Sequence, residues 1–217
     1  MNCFATARAV VFDMDGTLLD TEPAYRLAFQ RALASIGLTA SDAFYAGLIG
    51  IARRDRTAAL HAEFGDGFPL DTFSATYAAE KCRLLAAGIP VQTGALLILG
   101  ALALRGLPCA VATSASRKTA LSHLSRTRLL AHFAAVVTRD DVAHGKPHPA
   151  PFLAAAAALG IPPSRCVAFE DSGPGLRAAH AAGMITVMIG PPADAWTRQH
   201  CRAAAPSLPD AASLLQL

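Results

Sequence analysis

Short continuous apolar runs alternate with stretches of helical periodicity along most of this chain, and that alternation predicts its fold class. Ala9-Val-Val-Phe12 reads as a buried strand that ends on the polar segment Asp13-Met-Asp15-Gly16-Thr17. Apolar positions then recur at helical spacing through Tyr25, Leu27, Ala28, Phe29 and Leu33 and stop near Gly37. Further helices are expected at Asp42–Gly47, Arg53–Phe64 and Asp71–Ala87, with the turn-forming run 65–69 as a break and no strand anywhere in this block. From Pro90 the texture changes. Helices 94–104, 116–129, 149–159 and 173–182 lead in turn to the strands Leu107–Thr113, Ala134–Thr138, Arg165–Phe169 and Met184–Ile189. Helices alternating with continuous apolar strands predict an α/β protein, a Rossmann-like doubly wound parallel sheet covered on both faces. The helical block interrupts that pattern directly after the first strand. The expected domains are therefore a core of residues 1–19 and 88–217 and an inserted α-helical cap of residues 20–87.

The end of the first strand carries the most informative chemistry. Asp13 and Asp15 are spaced i, i+2, so their side chains point the same way in an extended chain. Two like charges at a strand end repel, and desolvation raises the cost. A cation removes that cost, and Mg²⁺ prefers oxygen ligands of this kind. Gly16 and Thr17 break the strand into a tight turn whose backbone N–H groups suit an anion. A short Asp-Gly string after a strand is by itself no more than a turn, so the other strand ends must decide.

In open parallel sheets ligands bind outside the carboxyl ends of the strands. The second strand ends on Thr113-Ser114-Ala115-Ser116, and the fourth on Glu170-Asp171-Ser172-Gly173. Gly145-Lys146-Pro147 lies in the loop after the third. One edge thus collects carboxylates, hydroxyls and a lysine. Helix capping accounts equally well for Ser116 and, at a helix start, for an acid. A second acidic pair at a second strand end makes capping alone an incomplete account. Lysine occurs only at positions 81, 118 and 146, which gives the constrained Gly-Lys-Pro more weight than an ordinary surface lysine has.

Composition narrows the alternatives. The chain has 217 residues, 53% of them hydrophobic, and a mean hydropathy of +0.36, enough for a sizeable core and unlike a disordered chain. No apolar run reaches the ~18 residues of a membrane span. The nearest, Ala95 to Leu104, stops at Arg105 and reads as a buried helix. No basic-then-apolar leader opens the chain, and Cys3, Cys82, Cys109, Cys166 and Cys201 are scattered and odd in number. Buried reduced thiols and a cytoplasmic location are expected. The net charge of +3 is dispersed. Its densest run, Arg53-Arg54-Asp55-Arg56, is interrupted by an acid, so neither a nucleic-acid nor a membrane partner is expected.

With these motifs in order, the chain resembles the haloacid dehalogenase superfamily of phosphotransferases over nearly its whole length. The four motifs are Asp13-x-Asp15-Gly16-Thr17, Thr113-Ser114, Lys146, and Glu170-Asp171 followed by Gly173 and Gly175. The helical block, opening on Asp20-Thr21-Glu22-Pro23, resembles the cap of the subfamily that contains β-phosphoglucomutase and phosphoglycolate phosphatase. The resemblance implies that Asp13 attacks phosphorus and forms an aspartyl-phosphate, and that Asp15 is the general acid and base. It implies Mg²⁺ as cofactor, held by Asp13, the Asp15 backbone carbonyl and Asp171, with Glu170 close or acting through water. Lys146 neutralises nucleophile and phosphoryl oxygens. Ser114 binds the phosphoryl group, with Thr113 as the other candidate, and backbone amides near Met14 and Ala115 add donors to those of the Gly16-Thr17 turn.

Asp15 separates phosphate-ester enzymes from the superfamily's dehalogenases, which lack an acid there. In the cap, Arg53 stands where the phosphomutase grips a second phosphate, and a solvated helix residue is the equal alternative. Tyr25 stands where that enzyme has a histidine, a poor exchange near neutral pH. His144 and His148 flank Lys146 without forming a ligand cluster. Three functions follow for a small-molecule phosphate ester: a Mg²⁺-dependent phosphatase acting on a sugar phosphate or phosphoglycolate-like compound, a phosphomutase, and a non-catalytic binding protein. The first is expected. A monomer is expected, with a dimer open.

Overall fold

The computed structural model describes residues 6–50, 53–192 and 194–214. The chain divides into two compact units, one of Met1–Asp20 with Pro90–Leu217 and the other of Thr21–Ile89. The sequence places these boundaries at 19/20 and 87/88.

Six parallel strands form the sheet of the first unit among the described residues: β1 (Ala9–Phe12), β2 (Cys109–Ala112), β3 (Ala135–Val137), β4 (Cys166–Glu170), β5 (Ile185–Ile189) and β6 (Ala203–Ala205). Their order is β3-β2-β1-β4-β5-β6. β1 lies between β2 and β4, with Phe12 opposite Val111 on one side and Phe169 on the other. The chain runs outward from β1 through β2 to β3, then returns to β4 and runs the other way. The order therefore reverses between β1 and β4, which opens a crevice at their carboxyl ends. All four residues of β1 are buried, as a strand covered on both faces requires.

The helices of this unit are α5 (Ala95–Leu104), α6 (Arg117–Arg126), α7 (Ala150–Leu159), α8 (Gly173–Ala181), α9 (Ala195–His200) and α10 (Leu208–Leu214). One face of the sheet, through Ala9, Val11, Ala110 and Ala168, packs with Phe152 and Ala155 of α7 and Ala178 of α8. These small side chains let the helices lie close to the strands. Phe12 stacks on Phe169, ring centroids 5.1 Å apart, at the carboxyl ends of β1 and β4.

Two expectations are corrected. Helix α5 is not buried all round: Ala95, Ile98, Leu99 and Leu102 are buried, whereas Leu97 is 75% and Leu104 92% exposed. It belongs to an outer layer, so only one of its faces meets the protein. The thiols are not uniformly buried either, since Cys82 is exposed while Cys109 and Cys166 are buried. Burial pushes Cys109 up to about 12 and Cys166 up to about 11. Cys3 lies outside the described residues. Strand β6 is absent from the sequence reading, because three alanines carry almost no strand propensity. Its place on β5 supplies the ladder.

The second unit is helical: α1 (Glu22–Ala34), α2 (Asp42–Gly47), α3 (Arg53–Phe64) and α4 (Leu70–Leu84). It has its own core, in which Phe29 meets Tyr45 and Phe73 at ring-centroid distances of 5.1 and 5.4 Å. No helix among the described residues is long and apolar enough to cross a membrane.

Candidate active site

The strand ends at the β1/β4 crevice carry the acidic residues. Asp13 directly follows β1, and its backbone N–H donates to Phe169 O at 2.9 Å, which ties the two strand ends together. Met14 is fully buried between Asp13 and Asp15. The chain turns at once, because the Leu18 and Leu19 amides both donate to Met14 O at 2.9 Å.

Lys146, in the loop after β3, reaches into this crevice and is 2% exposed. Its ammonium donates to Asp13 Oδ1 and, at 2.5 Å, to Glu170 Oε1. Burial works to lower the lysine's pKa, but the charges of Asp13 and Glu170 and their hydrogen bonds outweigh it and hold the group above its ordinary value. Glu170 is fully buried at the end of β4. Its Oε2 accepts from Ser172 N at 2.8 Å and from Ser172 Oγ at 2.9 Å. Both oxygens are thus held, which sets Glu170 behind Lys146 as its support. Ser172 also caps α8 by accepting from Gly175 N at 3.1 Å. A serine before Gly-Pro-Gly is a sequence signal for such a cap, but its grip on Glu170 is a tertiary fact.

Asp171 is held from the first loop. Thr17 Oγ1 donates to Asp171 Oδ1 at 3.0 Å. Gly16 has φ +90°, and a Cβ there would lie 2.0 Å from Asp171 Oδ2, so glycine serves both the left-handed turn and the carboxylate's approach. The Gly16 amide, expected as a phosphate donor, donates to Leu19 O at 2.7 Å. The Gly16 amide is thus taken up within the turn, and the Thr17 hydroxyl helps to seat Asp171. Gln92 Nε2 adds a bond to Gly16 O at 3.0 Å, a contact with no local sequence signal.

At the end of β2, Thr113 is 2% exposed. Its hydroxyl accepts from Ala115 N at 3.0 Å. The Ala115 amide, expected to point at phosphate, is thus turned inward, and so is the Thr113 hydroxyl. Ser114 between them is exposed at the same edge. In the helical unit, the Tyr25 ring lies 4.9 Å from Lys81 Nζ, which is 4.5 Å from the Tyr77 ring. Arg53 starts α3, but its side chain lies outside the described residues. His148 Nδ1 accepts from Ala150 N at 3.2 Å, so it caps the start of α7.

Charge decides what the crevice can hold. With all four groups ionised, Asp13, Glu170 and Asp171 share the one cation Lys146, an excess of two negative charges whose burial disfavours the charged forms. Burial raises the Asp13 pKa well above the carboxylate range; Lys146 opposes this, while Glu170 and Asp171 add to it. Burial also lifts Asp171 to about 8, with Glu170 adding and the Thr17 hydrogen bond and Lys146 opposing. An oxygen-seeking divalent cation fits that imbalance. No three His, Cys, Asp or Glu side chains among the described residues converge as a closed cluster. The donors gathered here are carboxylate oxygens, the kind a hard divalent cation takes.

Residues 7–183 match the family described as haloacid dehalogenase-like hydrolase. The chain belongs to this hydrolase family. Among its curated relatives, a phosphorylated carbohydrates phosphatase of Thermotoga maritima is 32% identical, with 81% of this chain and 82% of that protein covered. The fructose-1-phosphate phosphatase YqaB of Escherichia coli is 35% identical, with 83% and 95% covered. Among solved structures, CbbY from Rhodobacter sphaeroides in complex with phosphate superposes with a TM-score of 0.79 at 26% identity, over 97% of this chain and 100% of that one.

Proposed function

We propose that this hydrolase is a Mg²⁺-dependent phosphatase of small phosphate monoesters, such as a sugar phosphate or a phosphoglycolate-like compound, acting through an aspartyl-phosphate. The observation that carries the reading is the buried ammonium of Lys146 bound to both Asp13 and Glu170 at the β1/β4 switch point. A buried carboxylate whose charged form depends on a neighbouring cation is poised as a nucleophile rather than as a surface acid. The relatives named as phosphatases of phosphorylated carbohydrates and of fructose 1-phosphate support the substrate class.

Asp13 attacks phosphorus, the bond to the leaving oxygen breaks, and Asp15 gives that oxygen its proton. Asp15 then takes a proton from the water that attacks the aspartyl-phosphate, which frees inorganic phosphate and restores Asp13. Lys146 holds Asp13 in place and neutralises charge on the phosphoryl oxygens as they approach. The exposed hydroxyl of Ser114 donates to the phosphoryl group. Mg²⁺, held by Asp13, Asp171 and the Asp15 carbonyl, would supply charge neutralisation between two anions. Arg53 and the rest of the helical unit select the ester.

The test is steady-state hydrolysis of a panel of small phosphate monoesters with Mg²⁺ and with chelator, ranked by kcat/KM. Asp13→Asn is expected to lower kcat by at least ~10³-fold. An Asp13→Asn protein with full turnover removes the nucleophile assignment. Conversion of β-glucose 1-phosphate to glucose 6-phosphate with a bisphosphate primer, without release of inorganic phosphate, would replace hydrolysis by phosphoryl transfer.

A further inference from the structure

The turn that carries Ser114 is fastened to the end of β3 by two backbone hydrogen bonds and by the side chains of Asp140, Asp141 and Arg117, none of which takes part in the chemistry above. Thr113 N donates to Val137 O at 2.9 Å, and Arg139 N donates to Ala115 O at 3.1 Å. Arg117 N donates to Asp140 Oδ2 at 2.8 Å. The Arg117 guanidinium donates to Asp141 Oδ1. The other oxygen of Asp141 accepts from Thr138 N at 2.8 Å and from Thr138 Oγ1 at 2.6 Å. Thr138 is fully buried. One carboxylate therefore grips a buried strand end with one oxygen and the start of α6 with the other. The bonds fall at residues 113, 115 and 117, on both sides of Ser114.

Arg117 and Asp141 are 49% and 27% exposed in their side chains, and a pair so close to solvent adds little to folding stability. What the pair does is geometric. A serine on an unrestrained surface turn would lose conformational freedom on gripping an anion; here that freedom is removed when the protein folds.

We propose that Asp141, together with Arg117, is a positioning residue that preorganises the Ser114 turn to bind a phosphoryl group. This rests on Ser114 being the phosphate-binding hydroxyl, as assigned above.

Inorganic phosphate is the probe, and its binding to the full chain with Mg²⁺ is measured by titration calorimetry, so that no turnover is needed. Asp141→Asn is expected to raise the phosphate Kd about tenfold, because one of its two acceptor positions becomes an NH2 donor that must face the donors of either Thr138 or Arg117. Arg117→Gln removes one exposed arm, keeps the fold, and is expected to raise the Kd about threefold. If the clamp works through Ser114, Asp141→Asn made in a Ser114→Ala protein adds almost nothing to the loss from Ser114→Ala alone. A merely structural role predicts that the two losses multiply. Wild-type affinity in Asp141→Asn and Arg117→Gln, no phosphate binding in the unaltered protein, or multiplying losses in the double variant each overturn the proposal. Clamp-dependent phosphate binding without hydrolysis of any ester would instead sink the phosphatase reading and leave the clamp standing.

Discussion

Gly175→Ala sets a local gain against a tertiary loss, and the structure gives the size of each. Gly175 lies in the first turn of α8, where alanine is favoured over glycine by helix propensity by about 1 kcal/mol. Against this, a Cβ at that position would stand 1.7 Å from Glu170 Oε1 and 2.0 Å from its Cδ. An ordinary contact needs the carboxylate or the helix to retreat by roughly 2 Å. Glu170 has nowhere to go, since Oε1 is 2.5 Å from Lys146 Nζ and Oε2 is fixed by Ser172. Separating one partner of a buried ion pair costs about 3–5 kcal/mol. The loss outweighs the gain, and a net destabilisation of about 2–4 kcal/mol is expected, a fall in Tm of roughly 5–15 °C for a chain of this size. Because Glu170 orients the lysine that holds Asp13, kcat/KM for para-nitrophenyl phosphate should drop on the order of 100-fold. Gly100→Ala is the matched control: it too is a helical glycine, but nothing lies within 4 Å of its Cβ position. That variant should gain roughly 0.5–1 kcal/mol and keep its activity. Thermal unfolding by circular dichroism and the hydrolysis assay read both variants. A Gly175→Ala protein as stable as its parent and fully active would refute the argument that Glu170 is packed on the backbone of α8.

Two further substitutions address the remaining buried charge and the separate core. Lys146→Met leaves Asp13 and Glu170 buried without their shared cation, so stability should fall by about 3–5 kcal/mol in urea unfolding, with turnover lost; unchanged stability would mean that the lysine is not the counter-charge. Phe29→Ala empties the centre of the helical unit, where Phe29 is 2% exposed, and should cost about 3–5 kcal/mol of that unit's stability. Limited proteolysis within residues 21–89 at native temperature reads this loss, and resistance equal to the parent's contradicts the cited packing.

The ends of β1 show how far a sequence carries. Asp13 was readable as an acid at a strand end, because β1 stops at Phe12 where its apolar run stops. The same holds for the cap at Ser116, and for the helices α2 and α3, whose bounds match the sequence periodicity; the cap of α8 is Ser172 and not the acids before it. Local signals failed where partners come from afar. Gly16 and Thr17 read locally as a turn, and nothing local shows that Asp171, 154 residues beyond Thr17, packs against both. The apolar run of α5 promised burial, but hydropathy cannot say that only one side of a helix will meet the rest of the protein.

Residue types and spacings along the chain were enough to determine the parallel α/β class, the helical block after the first strand, and the set of ionisable groups at one sheet edge, since each follows from periodicity and from where strands stop. Only the tertiary structure decided which of those groups touch. Lys146 lies 133 residues from Asp13 and 24 from Glu170. The reversal of strand order between β1 and β4 brings all three together, and long-range pairing of that kind leaves no periodic trace in the chain. It also decided the division of labour among neighbours: Ser114 faces out and Thr113 in, because a buried hydroxyl must find a partner and the Ala115 amide supplies it.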